Sequence, residues 1–172
     1  MNETIASLLA RRSVRHYKPN QVSDELLDTV LNAGQYAASG MNSQNTVLVA
    51  VRDPETRELL SKMNADVMGS SSDPFYGAPC VIVVLANTLR GTWVEDGSLV
   101  IGNLMTAAHA VGLGSCWIHR AREMFDSVEG KELLKKWGLP ETLRGVGNCI
   151  LGYPDEIPSD KPRLEGRIVK ID

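Results

Sequence analysis

The run Cys80-Val81-Ile82-Val83-Val84-Leu85-Ala86 is the most continuous β-type stretch in the chain. Apolar residues stand at every position rather than at alternate ones, so a strand here buries both of its faces. The turn-forming sequence Gly69-Ser70-Ser71-Ser72-Asp73-Pro74 precedes it and indicates a loop before the strand. The run therefore predicts the central strand of a sheet.

Shorter strands and amphipathic helices are predicted on both sides of this strand. Ile5, Leu8 and Leu9 recur at helical spacing, and Ser23 supplies an N-cap for a second helix with an acidic first turn. Pro54 is typical of the first turn of a third helix. The remaining predicted strands are 46–51, 115–118 and 146–151, and the remaining predicted helices are 97–111 and 126–137.

Composition limits the classes of protein that the chain can belong to. Its 172 residues are 43% hydrophobic, which suffices for one core, so we expect a single domain over 1–172 that includes a C-terminal tail at 152–172. With 18 basic and 21 acidic residues the net charge is -3, which disfavours nucleic acid as a partner. The three cysteines lack C-x-x-C spacing and indicate buried thiols. Since no leader or membrane-spanning pattern is present, we expect a cytoplasmic protein without a membrane partner.

The cluster Arg11-Arg12-Ser13-Val14-Arg15 brings three guanidinium groups and a hydroxyl into a short stretch of chain. Guanidinium groups match phosphate oxygens with two parallel hydrogen bonds, so the cluster predicts a grip for a small phosphorylated ligand. The sequence contains neither a P-loop nor a complete G-x-G-x-x-G motif. A solvated basic turn is the alternative interpretation of the same residues.

Other groupings of polar residues favour structural roles. His109, Cys116 and His119 do not have the spacing of a metal site, and we expect no metal. The chain has no G-x-S-x-G elbow for a hydrolase nucleophile. The pair Glu95-Asp96 is typical of a helix cap rather than of acid–base chemistry.

Six motifs stand in order along the chain: Arg11-Arg12-Ser13-Val14-Arg15, Ser39-Gly40-Met41-Asn42-Ser43-Gln44, Ala78-Pro79, Gly112-Leu113-Gly114-Ser115-Cys116-Trp117-Ile118, Gly152-Tyr153-Pro154 and Lys161-Pro162-Arg163. Taken singly, the 39–44 segment also fits a polar turn and Trp117 a core aromatic. Together, the six motifs resemble the FMN-dependent nitroreductase family, and the sequence is similar to its shorter members.

This resemblance implies an α+β fold in which a mixed sheet is wrapped by helices. It further implies an intertwined homodimer with two FMN sites at the interface. The helix at 97–111 would pack against its symmetry mate, and 167–171 would be a C-terminal strand exchanged to the partner's sheet edge.

The resemblance also implies the residues of the FMN site. Arg11, Ser13, Lys161 and Arg163 would hold the phosphate with Arg12 beside them, and Arg15 and Asn64 would lie at the pyrimidine edge of the flavin. A backbone N–H near His119 would face flavin N5, although relatives often carry an acidic residue and a glycine where this chain has His119 and Arg120. The opposite subunit would contribute Ser39, Gly40, Met41, Asn42 and Gln44, and the other ring face would be covered by Trp117, Ile118 and His119.

The activity implied by the family is oxidation of NADH or NADPH by FMN, followed by reduction of a nitroaromatic, quinone or flavin-type acceptor. The flavin carries the chemistry, so no catalytic dyad is required. Phe75, Tyr76 and Trp93 lie in segments that we expect to roof the pocket. Two alternatives keep the flavin: a non-catalytic flavin-binding or redox-sensing module, and a relative of this fold with flavin-fragmenting or dehalogenating chemistry.

Overall fold

A computed structural model describes residues 2–171 and contains one sheet with helices on both faces. The elements that the sequence predicts are present, with some changes in their bounds. The helices are α1 (Glu3–Ala10), α2 (Asp24–Gln35), α3 (Pro54–Met68), α4 (Trp93–Ala110), α5 (Ala121–Asp126) and α6 (Val128–Lys136). The strands are β1 (Thr46–Val51), β2 (Cys80–Asn87), β3 (Gly114–Ile118) and β4 (Leu143–Gly152).

The four strands are arranged in the order β1-β2-β4-β3, and every neighbouring pair is antiparallel. In the described part of the chain, parallel pairing is limited to an isolated bridge between Ser13 and Ser115, so the predicted mixed sheet is corrected to an antiparallel one. Strand β2 is central, and its residues 80–86 are all 0% exposed. The prediction of a doubly buried central strand is therefore confirmed.

Strand β2 lies between two apolar clusters, which explains why its sequence does not alternate between polar and apolar residues. Val81, Val83 and Leu85 point into the cluster that includes residues of α3, α5 and α6. Cys80, Ile82, Val84 and Ala86 point into the opposite cluster, with residues of α2 and α4. Because successive side chains of a strand face opposite ways, a strand between two helical layers must be apolar throughout.

Two helices differ from the prediction. Helix α4 begins at Trp93, four residues before the predicted start, so Glu95 and Asp96 lie in its first turn. The helix predicted over 126–137 is α6, which begins two residues later at Val128, where the Ser127 side chain caps it by accepting from Gly130 N–H. The short helix α5 was not predicted, and it ends at Ser127, whose ψ is 162°. The chain turns tightly here because Gly130 packs against Phe125, and a Cβ at Gly130 would lie 2.6 Å from the Phe125 Cα.

Two of the regions with exposed apolar side chains are helix α1 and the C-terminal tail. Helix α1 has no buried residue, and its Ile5, Leu8 and Leu9 are 46%, 52% and 60% exposed. In the tail, Ile168 and Ile171 are 82% and 89% exposed, and 167–171 forms no strand within this chain. These two regions are apolar surfaces with which a partner can pack.

The three cysteines are buried and free, as the sequence predicts. Burial raises the pKa of the Cys80 thiol to about 12, so this thiol stays protonated and unreactive at neutral pH. Within residues 2–171, the helices are too short or too polar for any of them to cross a bilayer.

Candidate functional site

The loop between α1 and α2 is attached along the free edge of β3. Val14 N–H donates to the Ser115 carbonyl at 3.0 Å, and Tyr17 Oη donates to the Val14 carbonyl at 2.6 Å. The Val14 side chain is buried against Gly114, where a Cβ would come within 2.9 Å of it. With its central residue anchored in this way, the loop holds the flanking arginines at the sheet edge.

A cavity of about 490 Å³ lies beside this loop and gathers cations from two distant parts of the sequence. The residues that line it are Arg12, Ser13, Arg15, His16, Glu156, Pro158, Ser159, Lys161 and Arg163. Arg12 forms an ion pair with Asp160, and Arg15 N–H donates to Glu156 Oε1 at 2.5 Å, so the tail is fastened to the loop. The structure thus brings together five of the predicted phosphate-site and pyrimidine-edge residues.

Arg11 does not line this cavity itself but is the neighbour in sequence of Arg12, which does. Its Nη1 atom and the Nε atom of Arg12 are buried without a hydrogen-bond partner among the described residues. A buried polar group costs free energy until it finds a partner. Orphaned guanidinium nitrogens next to a cationic cavity therefore fit a bound anion such as phosphate.

A larger cavity, about 770 Å³, lies between α3 and the loop at 70–73. None of its lining residues belongs to the predicted site, and Glu55, Glu58, Asp66 and Asp73 give it an acidic border. Because a phosphorylated ligand requires cations, the smaller cationic cavity is the better candidate.

The segment 39–44 is folded into an unusual backbone shape. Met41, Asn42 and Gln44 have φ values of 56°, 51° and 46°, in the left-handed region that non-glycine residues rarely adopt. Ser39 Oγ accepts from Gln44 N–H at 3.1 Å and closes the turn. Met41 is 88% exposed, so the segment presents its side chains away from its own chain.

Asp96 anchors this segment. The carboxylate is 2% exposed, and it accepts from Gly40 N–H at 2.8 Å and from Thr92 Oγ1 at 3.0 Å. Only glycine fits at position 40, because a Cβ there would lie 2.4 Å from Thr92 Oγ1. The role of Asp96 is thus not confined to the start of α4, and only the tertiary contact with Gly40 reveals it.

We expect Asp96→Ala to lower the free energy of unfolding by about 2–4 kcal/mol, since two hydrogen bonds to a buried charge are lost and the Gly40 N–H is left without a partner. Urea denaturation measures this change. Glu95→Ala is the matched control, because Glu95 is exposed in the same helical turn, and we expect it to change stability by less than about 0.5 kcal/mol. Equal losses in the two variants would contradict the anchoring role.

The end of β3 carries the predicted ring-covering residues, but they do not share a face. Trp117 packs on the α2 and α4 side, whereas Ile118 is 6% exposed and packs in the opposite cluster. The prediction that the Ile118 side chain covers a ligand is corrected, since strand alternation turns it into the core. Trp117 Nε1 is a buried donor without a partner among the described residues.

Asn64 is fully buried behind the turn that follows β3. Its Nδ2 donates to the His119 carbonyl at 2.7 Å, and its Oδ1 accepts from Arg120 Nε at 3.0 Å. The prediction of a direct contact between Asn64 and a ligand is therefore corrected, because an enclosed amide presents no surface. Asn64 instead positions His119 and Arg120.

The three predicted roof residues have different environments. Phe75 is 0% exposed in the core. The prediction that Phe75 roofs the pocket is therefore corrected, because a ring without exposed surface contacts no substrate. Tyr76 is 44% exposed, and the Arg15 guanidinium lies 5.9 Å from its ring centre, so it does border the cationic region. Trp93 is stacked by Arg122 at 4.8 Å and by Arg144 at 5.4 Å.

Asp73, which the sequence interpretation missed, holds the turn that carries Tyr76. It accepts from Gly77 N–H at 2.7 Å and Ser61 Oγ at 2.5 Å, and it pairs with Arg57 at 2.7 Å. Partial burial raises the pKa of Asp73, but the Arg57 guanidinium and the other donors outweigh this effect and hold the pKa below its usual range. The sequence signal for this role is the position of Asp73 directly before Pro-Phe-Tyr-Gly, since Asp commonly begins such turns.

This arrangement predicts a contribution to stability that depends on pH. Because folding lowers the pKa of Asp73, its stabilising effect is present above the unfolded pKa, near 3.8, and disappears as pH falls through the lower folded value. We expect the stability difference between wild type and Asp73→Asn to shrink as pH falls below about 4. Urea midpoints between pH 7 and 3 measure it, with Asp28→Asn, an exposed carboxylate on α2, as control. A difference that stays constant over this range contradicts the assignment.

An antiparallel sheet between two helical layers, with a cationic cavity at its β3 edge, defines an α+β protein suited to a phosphorylated ligand. The sequence profile of the nitroreductase family matches residues 8–75 and 65–153. The chain belongs to the nitroreductase family, and the family and fold class predicted from its motifs are confirmed.

Known proteins resemble the chain over nearly its whole length. The NADPH-flavin oxidoreductase of Vibrio harveyi is 30% identical over 180 residues, which cover 98% of this chain and 73% of that protein. The crystal structure of a nitroreductase with bound FMN from Bacteroides fragilis has a TM-score of 0.92 at 27% identity and covers 100% of both chains. A second FMN-bound nitroreductase, from Desulfitobacterium hafniense, has a TM-score of 0.89 at 26% identity with the same coverage.

Proposed function

We propose that this chain is an FMN-dependent oxidoreductase that takes hydride from NADH or NADPH and reduces nitroaromatic, quinone or flavin-type acceptors. One observation carries the proposal: four cations line one cavity, and one of them, Arg12, has a buried Nε without a partner among the described residues, as does Nη1 of the adjacent Arg11. Membership of the nitroreductase family supports the same activity.

The residues at this edge of the sheet fit the phosphate of FMN. Arg11, Arg12, Ser13, Lys161 and Arg163 would bind it, since they combine four cations with a hydroxyl donor. A phosphate monoester carries about 1.5 to 2 negative charges near neutral pH, which such a group neutralises. Asp160 and Glu156 do not oppose this role, because they are engaged with Arg12 and with Arg15 N–H.

The flavin supplies hydride acceptance and donation when it is bound. The chain supplies binding and position through Arg15, Tyr76, Trp117 and the His119 turn. The described residues contain no group of three or more His, Cys, Asp and Glu side chains arranged to hold a metal ion. Bound flavin would supply the hydride, and solvent would supply the proton that the acceptor also takes up, so the proposed mechanism calls for no further acid–base residue.

A homodimer completes the site in this proposal. The exposed apolar side chains of α1 and of the tail would be buried in a partner subunit, with 167–171 added to its sheet edge. Segment 39–44 would reach the partner's flavin, which explains why it is held in a strained shape with its side chains facing outward. Buried free cysteines and a nicotinamide donor support a cytoplasmic location.

The visible spectrum of the purified protein tests the function. We expect flavin absorbance that bleaches when NADH or NADPH is added without oxygen and returns on addition of a quinone or nitroaromatic acceptor. Continued NAD(P)H oxidation in the presence of acceptor establishes turnover. Flavin that stays oxidised with both donors contradicts the proposed reductase activity and favours a non-catalytic flavin-binding module. Protein that takes up no FMN contradicts the assignment of FMN as the cofactor.

A further inference from the structure

We propose that Asp160 is a positioning residue of the phosphate site, and that its ion pair with Arg12 makes a bound phosphate and a docked tail stabilise each other. This inference rests on the phosphate site of the proposed function. It gives a role to a carboxylate that does not itself line the cationic cavity.

Asp160 is the last point at which the tail is attached to the rest of the chain. Two backbone hydrogen bonds of 2.9 Å each hold the tail to the loop between α1 and α2 as far as Asp155. Beyond that residue, the described hydrogen bonds and ion pairs from the tail to other segments come from the side chains of Glu156 and Asp160 alone. Residues 161–171 are all exposed. The tail cations that line the cavity therefore depend on Asp160 for their place.

The partner of Asp160 joins three segments of the structure. Nη1 of Arg12 donates to the Leu9 carbonyl at 2.6 Å and to the Arg11 carbonyl at 2.8 Å, while Nη2 donates to Asp160. The Arg12 guanidinium holds the pKa of Asp160 below its usual range, so the carboxylate is charged at neutral pH. Because a guanidinium presents its donors in a rigid fork, these bonds also fix the direction of its Nε, which has no partner among the described residues.

The junction of loop and tail carries an excess of positive charge. The loop contributes Arg12 and Arg15 to the cavity, and the tail contributes Lys161 and Arg163. Like charges repel, so these cations oppose docking of the tail. The two tail carboxylates described above balance two of the four cations and leave two unmatched. A bound phosphate monoester, with about 1.5 to 2 negative charges near neutral pH, matches that excess.

Phosphate binding and tail docking therefore favour each other. A phosphate relieves the repulsion that opposes docking, and a docked tail supplies two of the cations that bind the phosphate. Thermodynamic linkage requires the same coupling factor in both directions. Without the Asp160 carboxylate, Arg12 is no longer joined to the tail, and this coupling is lost. The loaded site would in turn hold residues 164–171 in place for the partner subunit.

The dissociation constants of FMN and riboflavin test the proposal, because riboflavin is the same flavin without the phosphate. We expect Asp160→Asn to weaken FMN binding by about fivefold or more, the lower end of ordinary coupling between sites, and to change riboflavin binding by less than about twofold. Asp160→Glu keeps the charge and should bind FMN more tightly than Asp160→Asn. The matched control is Asp155→Asn, which removes an exposed tail carboxylate that forms no ion pair among the described residues. It should not weaken FMN binding.

Tryptic cleavage of the bond between Arg167 and Ile168 measures docking of the tail directly. This bond is exposed, and Arg167 does not line the cationic cavity, so a bound phosphate does not shield it by contact. Inorganic phosphate added to flavin-free wild-type protein should slow this cleavage by about fivefold or more. Asp160→Asn should lose most of that protection, and Asp155→Asn should keep it.

The outcomes separate this inference from the function on which it rests. A wild-type tail that is protected by inorganic phosphate, in a protein that takes up no FMN, supports the coupling and overturns the proposed function. Absence of both protection and FMN uptake overturns both. FMN binding with no change in tail cleavage overturns the coupling alone. Full or increased FMN affinity in Asp160→Asn also overturns it, since the carboxylate would then compete with phosphate for Arg12. Equal losses of FMN and riboflavin affinity assign Asp160 to general stability and overturn it as well.

Discussion

The double variant Arg11→Ala/Arg163→Ala is expected to bind FMN roughly 10²- to 10⁴-fold more weakly than wild type. Each guanidinium would make a charge-assisted hydrogen bond to the phosphate, and such a bond contributes about 1.5–3 kcal/mol. Arg11 offers a buried Nη1 without a partner among the described residues, and Arg163 lines the cationic cavity from the tail. Quenching of flavin fluorescence on titration of the apoprotein measures the affinity.

A charge-matched control separates this effect from a general loss of positive charge. Lys18→Ala/Lys135→Ala also removes two cations, and both lysines are exposed and do not line the cavity. We expect this control to change FMN affinity by less than about threefold at physiological ionic strength, because exposed charges beyond about 8 Å are largely screened. Full FMN affinity in the arginine double variant would contradict the proposal that the phosphate of FMN binds in this cavity.

The second large effect is expected from substitutions in the C-terminal tail, which would disrupt the proposed dimer. We expect Ile168→Asp/Ile171→Asp to convert the proposed homodimer into monomers and to abolish FMN binding, since segment 39–44 of the partner would be lost from the site. Burial of an isoleucine contributes about 1.5–3 kcal/mol, and a symmetric interface loses the contribution of both tails. Dimerisation should therefore weaken by roughly four orders of magnitude or more. Sedimentation velocity gives the oligomeric state and absorbance gives the flavin content.

Val128→Asp is the matched control for the tail. Val128 is 79% exposed at the start of α6, close to the 82% of Ile168, so the substitution places the same charge on an equally open apolar site. We expect the control to remain dimeric and to retain FMN. A double tail variant that stays dimeric with full flavin content would exclude strand exchange, and an interface formed by helices α1 and α4 would then remain.

Much of the fold follows from local patterns. The apolar run 80–86 predicted a doubly buried strand, and the structure places it between two helical layers. Apolar periodicity placed α1, α2 and α3, because each has local caps and a regular apolar spacing. Helix α5 and its tight connection to α6 were not predicted, because the connection depends on the packing of Gly130 against Phe125, and periodicity does not report such contacts.

For the candidate site, too, the sequence predicted some features and missed others. The order of motifs was enough to identify the nitroreductase family, and the Arg11–Arg15 cluster predicted a phosphate site. Sequence spacing did not place Ile118 and Phe75 in the core or enclose Asn64 behind the His119 turn. These three positions depend on which layer each side chain faces, and strand alternation and helix packing settle that.

By itself, the sequence determined the family, the central strand and the types of residue that would bind a phosphorylated flavin, because these depend on local composition and on short motifs. Only the tertiary structure decided which cations share a cavity, that Asp96 anchors Gly40, and that Asn64 holds Arg120. These contacts join residues more than fifty positions apart, as in the pair Asn64 and Arg120. Their geometry comes from the packing of sheet and helices, and no local pattern of residues encodes it.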